Sequence, residues 1–578
     1  MRRVTAVLLA GRAFRAPNER ALMRCLLAVL LCACVFRASA QDVDHVPISH
    51  PVHEFLDRLG VRGVLPLHSS SVRPLARGTV RRLLDSAEAR SAQLTTVERS
   101  MVQKFLTEFS PDLGTRSTND LVLLGSHQSL GSLVADIVSD KEKHLYAAVD
   151  SNATLIVELL GSTEYRSLHG ENGRHTDATL QTIGGRFRGT IGGRLGYMLQ
   201  ATNGVLRGDR AFARSDPRLA TNFKLNELQS SNFDFTEAYL RYSFGWAGVQ
   251  FGREYTSVGV GYTDRLILSE NGPALDFFSI DAQYKSFRFF FLHGSILTAD
   301  GGFSGLHQEA PEGSSKYLAL HRFQFSLVDA LNIGASEMVV YQRLTPEYAY
   351  LNPVNFFKSS EHALRDRDNA LLVFDVELFP LDGYKLYGAW LIDDISIARM
   401  GSGWWGNEFG WQAGAYVANV FGLPAVDAVV EYARLEPFVY SHRVEGNDYS
   451  HNSVSLGHRL PPNADEWMVE GRWSASPWLH LRLLGAYRRH GRNVMIGDSL
   501  ARNVGGSLLQ GHRSGDSESA PFLDGDKESM TRVQLRVDYE PIREVFLTGV
   551  ADVRRTRDHT SGTGSTDVGL SVGVRIEY

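Results

Sequence analysis

The sequence predicts an all-β transmembrane barrel of about 18 antiparallel strands with a small N-terminal α-helical module. Three features lead to this prediction: a signal-like start, recurrent strands with one apolar face, and an unbroken alternation of short and long connections. Only helices and closed barrels span a bilayer, because every backbone polar group must find its partner inside the protein. The apolar runs of this chain are too short for spanning helices, so the chain either spans as a barrel or is soluble. Strand number, closure and loop asymmetry favour the barrel over a soluble sandwich.

The N-terminal residues 1–40 are typical of a cleaved secretory signal peptide. An apolar run at 25–36 follows two arginines and precedes the small residues at 38–40. That run is too short to cross a bilayer as a helix. Met23 is an alternative translation start, and Cys32 leaves lipidation as a less favoured processing route. We therefore expect secretion through a cleaved signal peptide.

Cysteine content and charge argue against cysteine-based sites and against nucleic-acid binding. All three cysteines lie within residues 1–40, so the remaining chain has no disulfide, thiolate metal site or cysteine nucleophile. The same segment holds seven arginines and one glutamate, and its loss leaves a net charge of about −11. Nucleic-acid binding requires a basic surface, so we expect no nucleic-acid partner.

Residues 41–115 are predicted to form a helical module of three short amphipathic helices. The first has its apolar stripe at 52–59, and the second spans about 77–90. The third begins with a capping box formed by Thr95 and Glu98. Two placements remain open for this module: an independent periplasmic domain, or a plug that packs against or inside the barrel.

After a predicted linker at 116–143, alternating segments recur over residues 144–578. Clear examples lie at 183–199, 372–378 and 533–539. The last segment presents six apolar residues on one face: Val568, Leu570, Val572, Val574, Ile576 and Tyr578. A period of two sends one set of side chains to lipid and the other to the lumen. We expect the last strand to close against the first.

The connections between predicted strands alternate in length without a break. The short ones lie at 245–246, 285–286, 328–330, 379–383, 420–424, 474–477 and 540–544. The long ones lie at 254–275, 298–317, 343–368, 393–408, 436–466, 488–530 and 556–566. In bacterial barrels the short turns face the periplasm and the long loops face outside. Counting back to a first strand at about 144–161 gives about 18 strands, an even number as these barrels require.

Several segments, taken in order, resemble the Wzi-type capsule assembly proteins of Gram-negative outer membranes. They are Val64–Leu67, Phe251–Arg253 with Leu266–Asn271, Leu331–Tyr341 with Tyr350–Pro353, Leu391–Asp394, and Tyr449–His451 with Leu456–Gly457. The resemblance implies an outer-membrane barrel with an N-terminal helical bundle that binds or anchors capsular or extracellular polysaccharide, without enzymatic activity. Large insertions such as 488–530 leave the identity of the glycan open.

A protein of this kind would have three sorts of partner. These are the capsular or exopolysaccharide itself, the lipid of the Gram-negative outer membrane, and the barrel assembly machinery that inserts the strands. An outer-membrane porin or substrate-specific channel is the alternative function, in which charged lumen residues would select solutes. An outer-membrane hydrolase comes third.

Aromatic residues crowd the predicted outward loops at 393–408 and 343–368. Sugar rings present C–H faces that pack on aromatic faces, while amides bind the hydroxyls. The candidate glycan-binding residues are Trp404, Trp405, Tyr348, Tyr350 and Asn352. The alternative for these aromatic side chains is the interfacial girdle that membrane barrels carry at both edges.

Motifs for catalysis or metal binding are incomplete. Gly569–Gly573 matches G-x-S-x-G but lies inside a strand, whereas a nucleophile elbow needs a strand-to-helix turn. Asp524–Glu528 alternates carboxylates without the other ligands of a calcium loop. His442, His451 and His458 lack the spacing of zinc ligands. We expect no catalytic residue, no metal site and no cofactor.

Overall fold

The computed structural model describes most of the chain after the signal-like segment. The described residues are 43–65, 71–109, 120–124, 135–150, 152–171, 173–226, 228–298, 315–328, 330–444 and 446–578. The signal peptide predicted at 1–40 lies outside them. None of the helices in these ranges is long and apolar enough to cross a membrane.

Eighteen long antiparallel strands within the described residues form a closed barrel, the number that the sequence predicts. They are β1 (Ala153–Gly170), β2 (His175–Ile191), β3 (Leu195–Gly208), β4 (Asn232–Ser243), β5 (Ala247–Glu254), β6 (Leu275–Tyr284), β7 (Phe287–Ile296), β8 (Ser315–Val328), β9 (Leu331–Arg343), β10 (Asn369–Leu381), β11 (Tyr384–Asp394), β12 (Glu408–Val417), β13 (Val426–Leu435), β14 (Ala464–Ser476), β15 (Leu479–Arg492), β16 (Asp526–Ile542), β17 (Val545–Asp558) and β18 (Gly564–Glu577). Each strand pairs with its neighbours in sequence order.

The last strand closes the sheet against the first, as predicted from its alternating pattern. β18 pairs with β1 from Asp567 opposite Gly170 to Glu577 opposite Leu160. Its apolar residues, such as Val572 at 51% exposure, lie on the outer face, where lipid would cover them. Lumen-facing positions instead hold charged pairs such as Arg532 and Asp552, 2.8 Å apart.

The first long strand begins later than the predicted 144–161. The Asp150 carboxylate accepts hydrogen bonds from the backbone N–H groups of Asn152 and Ala153. A short strand, Tyr146–Val149, precedes these residues and pairs with the beginning of β1. A side chain that satisfies local backbone donors therefore divides the predicted strand in two.

Connections at one end of the barrel are short, and most at the other end are long. The short-turn end has 192–194, 244–246, 285–286, 329–330, 382–383, 418–425, 477–478 and 543–544. The long-loop end has 171–174, 209–231, 255–274, 297–314, 344–368, 395–407, 436–463, 493–525 and 559–563. The connection predicted at 556–566 is shorter, because the ladder between β17 and β18 continues to Arg557 opposite Gly564.

All three predicted N-terminal helices are present: α1 (Val52–Val61), α2 (Arg77–Glu88) and α3 (Thr96–Glu108). The capping box at the start of α3 forms as predicted, with reciprocal hydrogen bonds between Thr95 and Glu98. The helices share an apolar core that includes Phe55, Leu84 and Phe105. These helices are the helical module referred to below.

Smaller elements lie in the connections. The helices are Arg210–Ala213, Pro217–Ala220, Phe223–Asn226, Tyr348–Leu351 and Phe357–Ala363, with 3₁₀ turns at Ser91–Gln93, Ile397–Arg399 and Val420–Gly422. The paired short strands are Val72–Arg73 with Ser257–Val258, Asp120–Val122 with Glu142–His144, Ser450–His451 with Val454–Ser455, and Val494–Ile496 with Ser499–Arg502.

Two long connections, 255–274 and 436–463, fold into the lumen and are called the lumen loops. An extended buried apolar cluster joins them to the inner wall through residues such as Ile267 and Leu320. The hydroxyls of Tyr440 and Tyr449 donate to the carbonyls of Leu266 and Ile267 at 2.8 and 2.6 Å. Apolar burial and backbone hydrogen bonds thus hold the two loops together inside the wall.

Candidate functional site

The predicted tryptophan pair lies in connection 395–407, the tryptophan loop. It packs against connection 493–525, the insertion loop. The Trp405 ring stacks on the His512 ring, with centroids 3.8 Å apart and planes within 3° of parallel. Phe438 meets Trp405 edge-on at 5.9 Å. Three aromatic rings from three connections therefore meet at the long-loop end.

Trp404 is held by two charged side chains. Its indole N–H donates to a Glu518 carboxylate oxygen at 3.0 Å, and the Arg399 guanidinium lies 4.6 Å from its ring centroid. Arg399 and Glu518 are also 3.5 Å apart, and both are largely exposed. The Trp404 and Trp405 rings are 5.4 Å apart and tilted by 52°. Half-buried aromatic surface thus lies beside a mixed pair of exposed charges.

Backbone hydrogen bonds join the tryptophan loop to the insertion loop. The Trp405 N–H donates to the Glu518 carbonyl at 3.2 Å, and the Ala520 N–H donates to the Gly403 carbonyl at 3.0 Å. Gly403 has a φ of +71°, a left-handed conformation that glycine adopts without a steric penalty. This turn allows two adjacent tryptophans to meet the insertion loop.

A single asparagine ties the insertion loop to the barrel rim. The Asn463 amide donates to the carbonyls of Gly491 and Asp524 at 2.8 and 3.0 Å, and its oxygen accepts from the Leu523 N–H at 2.6 Å. The insertion loop therefore starts and ends on one buried side chain. This geometry limits its freedom near the tryptophans.

The arrangement is suited to binding a polar ring by its face and its edge. Trp404 offers an apolar face, while Arg399 and Glu518 offer a donor and an acceptor for hydroxyl groups. Trp405 is stacked on His512, and its buried indole N–H has no hydrogen-bond partner among the described residues.

The other predicted glycan-binding residues lie in connection 344–368, the cover segment. Tyr348 is 86% exposed, and Asn352 is exposed with its side-chain oxygen accepting from the Val354 N–H at 3.3 Å. Tyr350 is fully buried, and its hydroxyl donates to Asp368 at 2.9 Å. Glycan contact by these residues stays a prediction, and Tyr350 offers no surface to a ligand in this conformation.

The cover segment packs on the outer face of the wall rather than over the lumen. The Glu337 carboxylate on β9 accepts from the backbone N–H groups of Phe357 and Lys358 at 2.7 and 2.6 Å. The His321 ring of β8 stacks on the Phe357 ring at 4.4 Å. Burial raises the pKa of Glu361 in the same segment to about 7, although Lys358 opposes the shift. The cover segment is thus bound to the wall by charge and stacking.

Packing of the insertion loop against the tryptophan loop brings His512 and Glu518 to the tryptophans, whereas Arg399 lies in the tryptophan loop itself. Sequence reasoning missed these three residues, because none of them stands in a motif. The length of the predicted 488–530 insertion was the only signal that this part of the chain is unusual. The two loops join strands that are not neighbours in the circle, β11 to β12 and β15 to β16, so the insertion loop reaches the tryptophans past the ends of β13 and β14.

The short-turn end contacts the helical module through charged residues. Arg58 donates to Asp427 and Asn419 of the wall, each at 2.7 Å, and also pairs with Glu98 of α3. Glu54 pairs with Arg482 at 2.9 Å. Burial would raise the pKa of Glu54, but Arg482 and the nearby Arg472 outweigh it and lower the pKa to about 2.

Further bonds attach the module to the short turns. The Lys104 ammonium donates to the Pro477 carbonyl at 3.1 Å and pairs with Glu540. The Gly383 N–H donates to the Val61 carbonyl at 2.7 Å. Val61 also packs in a small apolar cluster with wall residues that include Met468. The module is therefore in contact with at least three short turns.

The residues considered for catalysis have ordinary structural roles. Ser571 lies within β18, and its hydroxyl donates to Glu164 at 2.7 Å. Asp524 pairs with Arg502 at 2.7 Å. Burial lowers the pKa values of His442 and His458 to about 4. None of these contacts forms a nucleophile–base pair among the described residues.

One cluster of possible metal-ligand atoms occurs in the described chain. Glu361, His362 and Asp366 bring their ligand atoms within 4.8 Å of one another. Lys358 already pairs with Glu361 at 2.8 Å, and Arg443 pairs with Asp366 at 2.9 Å. These cations neutralise the carboxylates that a metal ion would need.

Comparison with known proteins identifies a family. The family model described as capsule assembly protein Wzi matches residues 155–559. Among solved structures the chain is similar to Wzi of Escherichia coli, described as an outer membrane protein involved in group 1 capsule assembly and a carbohydrate-binding β-barrel. The two chains are 14% identical, with a TM-score of 0.55. The match covers 92% of this chain and 99% of the E. coli one. At this identity the likeness shows a shared fold.

Two other solved structures cover less of the chain. OccD3 and OprD of Pseudomonas aeruginosa are each 11% identical, with TM-scores of 0.40 and 0.41. Each covers 73% of this chain, and 91% and 94% of the respective structures are covered. No curated protein sequence matches this chain.

Proposed function

This chain belongs to the Wzi capsule assembly protein family, and we propose that it binds or anchors capsular or extracellular polysaccharide at the cell surface without enzymatic activity. The Trp404–Trp405 pair, held against the insertion loop at the long-loop end, is the observation that carries this proposal. The described carbohydrate binding of the E. coli protein with the same fold supports it.

The barrel is proposed to lie in the Gram-negative outer membrane, reached through a cleaved signal peptide. Short turns face the periplasm in bacterial barrels, so the helical module would lie on the periplasmic side and the tryptophans outside. The apolar outer face would contact lipid, and the barrel assembly machinery would insert the closed sheet. Residues 41–115 would then act as a plug at the periplasmic mouth.

At the outer site, one sugar ring would pack on the face of Trp404. Glu518 would accept from its hydroxyls, and Arg399 would donate to hydroxyl or carboxylate oxygens. Tyr348 and Asn352, both exposed, would make secondary contacts along the same polymer. Tyr350 would act by positioning, since its bond to Asp368 supports the segment that presents Tyr348.

The alternative channel function requires an open lumen. The lumen loops share a buried apolar cluster with the inner wall, and the module contacts the turns at the other end. A solute would have to displace both. We therefore favour a binder over a porin and expect planar bilayers containing the protein to be nearly silent.

The proposal is tested in the source bacterium by deleting the gene and measuring how much surface polysaccharide stays with the cells. We expect polymer to move from cells to medium, and a plasmid copy to restore retention. Unchanged retention would contradict the proposed function. Single cysteines at Gly515 and Ser286, both exposed, test orientation, since only the first should react with a membrane-impermeant maleimide on whole cells. Reversed labelling would invert the topology.

A further inference from the structure

The outer face of the wall carries two basic side chains at the long-loop end of β17, Arg555 and Arg557, which are called the rim arginines. Asp552 of the same strand pairs with Arg532 inside the lumen at 2.8 Å. Side chains alternate along a strand, so the rim arginines point outwards, and both are exposed. Lys527, exposed on the same face of β16, lies on the diagonal from Arg557. These three cations lie on the side of the wall that meets the membrane.

Two arginines elsewhere on this outer face are neutralised by the next strand. Arg253 of β5 pairs with Asp276 of β6, and Arg489 of β15 pairs with Asp465 of β14 at 2.5 Å. The register of the sheet places each arginine directly opposite its carboxylate. Both pairs lie near the long-loop ends of their strands, as the rim arginines do. They show how the wall itself neutralises an outward cation.

The rim arginines have no such carboxylate. The two neighbouring strands place uncharged residues directly opposite them: Thr531 and Thr566 beside Arg555, and Ser529 and Gly564 beside Arg557. Neither guanidinium has an ion-pair or hydrogen-bond partner among the described residues. Asp524, close to the start of β16, already pairs with Arg502 at 2.7 Å. Two exposed charges are therefore left for a partner outside the protein.

The height of the rim arginines matches the border of the membrane. From Val545, at the short-turn end of β17, to Arg555 the strand rises about 33 Å, or about 25 Å along the barrel axis at the usual tilt. Barrels of the outer membrane have an apolar outer band of about 25 Å. Val553, the outward residue before Arg555, lies between Val533 and Val568, and all three are 42–49% exposed. Unneutralised cations thus lie directly above bare apolar wall.

This combination of charge and apolar surface selects the ligand class. Guanidinium groups bind phosphate through paired hydrogen bonds, and Arg555 and Arg557 are about 7 Å apart along one face of a strand, so both can reach one phosphate group. The valines below them offer surface to hydrocarbon chains. A soluble anion would use only the arginines, and an uncharged lipid would use only the valines. A phosphate-bearing lipid uses both.

We propose that Arg555 and Arg557 bind the phosphate group of an anionic lipid in the membrane leaflet at the long-loop end, with its acyl chains along Val533, Val553 and Val568. Basic residues at a membrane surface are attracted to anionic lipids, and this contact fixes the height of the barrel in the bilayer. The lipid site goes beyond the proposed polysaccharide binding and depends on the barrel wall, not on the tryptophans.

The first test compares two lipids with the same oleoyl chains, phosphatidic acid and phosphatidylcholine. The full mature protein in detergent is titrated with each lipid and followed by native mass spectrometry. Phosphatidic acid should bind about thirtyfold more tightly, because two cations contribute about one and a half decades of affinity for an anionic headgroup. Equal binding of the two lipids would overturn the proposal.

Two double variants locate the bound lipid. Arg555→Gln with Arg557→Gln should weaken phosphatidic acid binding about thirtyfold and remove the preference over phosphatidylcholine. Arg253→Gln with Arg489→Gln is the matched control, because it removes the same charge from arginines that already have carboxylate partners. This control should bind phosphatidic acid normally, and heat-modifiable migration confirms that each variant is folded. Equal losses in both double variants would show a general effect of charge and overturn the site.

Two further measurements separate the lipid from other anions and from the polysaccharide. Inorganic phosphate in about tenfold excess should leave phosphatidic acid bound, because it has no acyl chains to contact the valines. Complete displacement would make this a site for soluble anions and overturn the proposal. Trp404→Ala with Trp405→Ala should bind phosphatidic acid normally, whatever happens to polysaccharide retention. A failure of the tryptophan site and a failure of the lipid site can thus be told apart.

Discussion

The two ends of the barrel are closed in different ways. At the short-turn end, a helical module with its own apolar core meets the wall mainly through charged residues, with Arg58 and Glu54 at its centre. At the long-loop end, the lumen loops have no separate core and share one with the wall. The module thus has a core of its own beside its contacts with the wall, whereas the loops share the core of the barrel.

This difference determines which perturbation each end resists. Buried ion pairs add little net stability over apolar contacts, but removing one partner is costly because the other charge stays buried. Apolar burial of the lumen loops instead gains roughly 25 cal/mol for each Å² removed from water, independent of pH. The short-turn end should respond to changes of charge, and the long-loop end to loss of apolar or aromatic surface.

The largest effect is expected when the end of the last strand is deleted, because both ends of the barrel depend on a closed wall. Deleting Val572–Tyr578 takes away most of the ladder between β18 and β1, and lipid cannot satisfy the exposed strand edge. We expect no membrane assembly, seen as loss of heat-modifiable migration on gels. Deleting the seven residues 495–501 from an exposed hairpin of the insertion loop is the control, and assembly should persist. Heat-modifiable migration of the truncated protein would contradict closure by the last strand.

Replacing one charged residue, Arg58, should loosen the short-turn end and leave the long-loop end unchanged. Arg58→Ala leaves the Asp427 carboxylate of the wall buried without its cation, while Glu98 keeps Arg62, and we expect a loss of about 3–5 kcal/mol in module docking. Hydrogen exchange in α1 should rise while exchange in the lumen loops stays slow. Arg81→Ala is the matched control, because it removes an exposed pair with Asp85, worth at most about 0.5 kcal/mol, and a bond to the Leu106 carbonyl, both inside the module. Equal exchange in both variants would refute charge-dependent docking.

Aromatic loss should act only at the long-loop end. Trp404→Ala with Trp405→Ala should weaken polysaccharide binding about tenfold, or about 1.4 kcal/mol, since the sugar loses the face of Trp404 and the site loses the Trp405 ring that packs on His512. Retention by cells and heat-modifiability are measured on the same variant. Trp467 and Trp473, on the outer face of β14 at 53% and 49% exposure, form the control pair. Replacing Trp467 and Trp473 by alanine should impair assembly and leave retention of polysaccharide unchanged. If replacing Trp404 and Trp405 gave that same result, the loop tryptophans would belong to the interfacial girdle.

Opposite pH responses give the smallest and sharpest test. The pKa of Glu54 is lowered from 4.5 to about 2, so its stabilisation of the module is complete above about pH 4.5 and disappears as pH falls towards 2. The pKa of Glu361 is raised from 4.5 to about 7, so stability of the cover segment is highest below pH 4.5 and decreases as pH rises through 7.

Hydrogen exchange, corrected for its intrinsic dependence on pH, checks this pair of predictions. The module should loosen in acid and the cover segment at neutral to basic pH. Glu54→Gln and Glu361→Gln should each flatten the response of their own end only. If both ends responded to pH in the same direction, or if neither variant changed the response, other titrating groups would control the pH dependence of exchange.

The sequence by itself determined the elements that depend on neighbours in the chain. A period of two gives strands with an apolar outer face, and alternating turn lengths give eighteen of them. The capping box of Thr95 and Glu98 gives the start of α3, because both partners lie within one turn. Two predicted boundaries were wrong. The first strand starts later because Asp150 binds the backbone locally, which a count of apolar positions does not register, and the connection at 556–566 is shorter because its flanking strands continue pairing.

Tertiary structure alone decided what the loops meet. Trp404 and Trp405 were identified from composition, but their contacts with Glu518 and His512 exist only because the insertion loop, more than 100 residues later in the chain, packs on the tryptophan loop. Tyr350 has the same aromatic character in sequence, yet it is buried against the wall because Glu337 binds the cover segment there. The exposure and partners of a loop residue depend on how segments distant in sequence pack together, and local patterns carry no record of that packing.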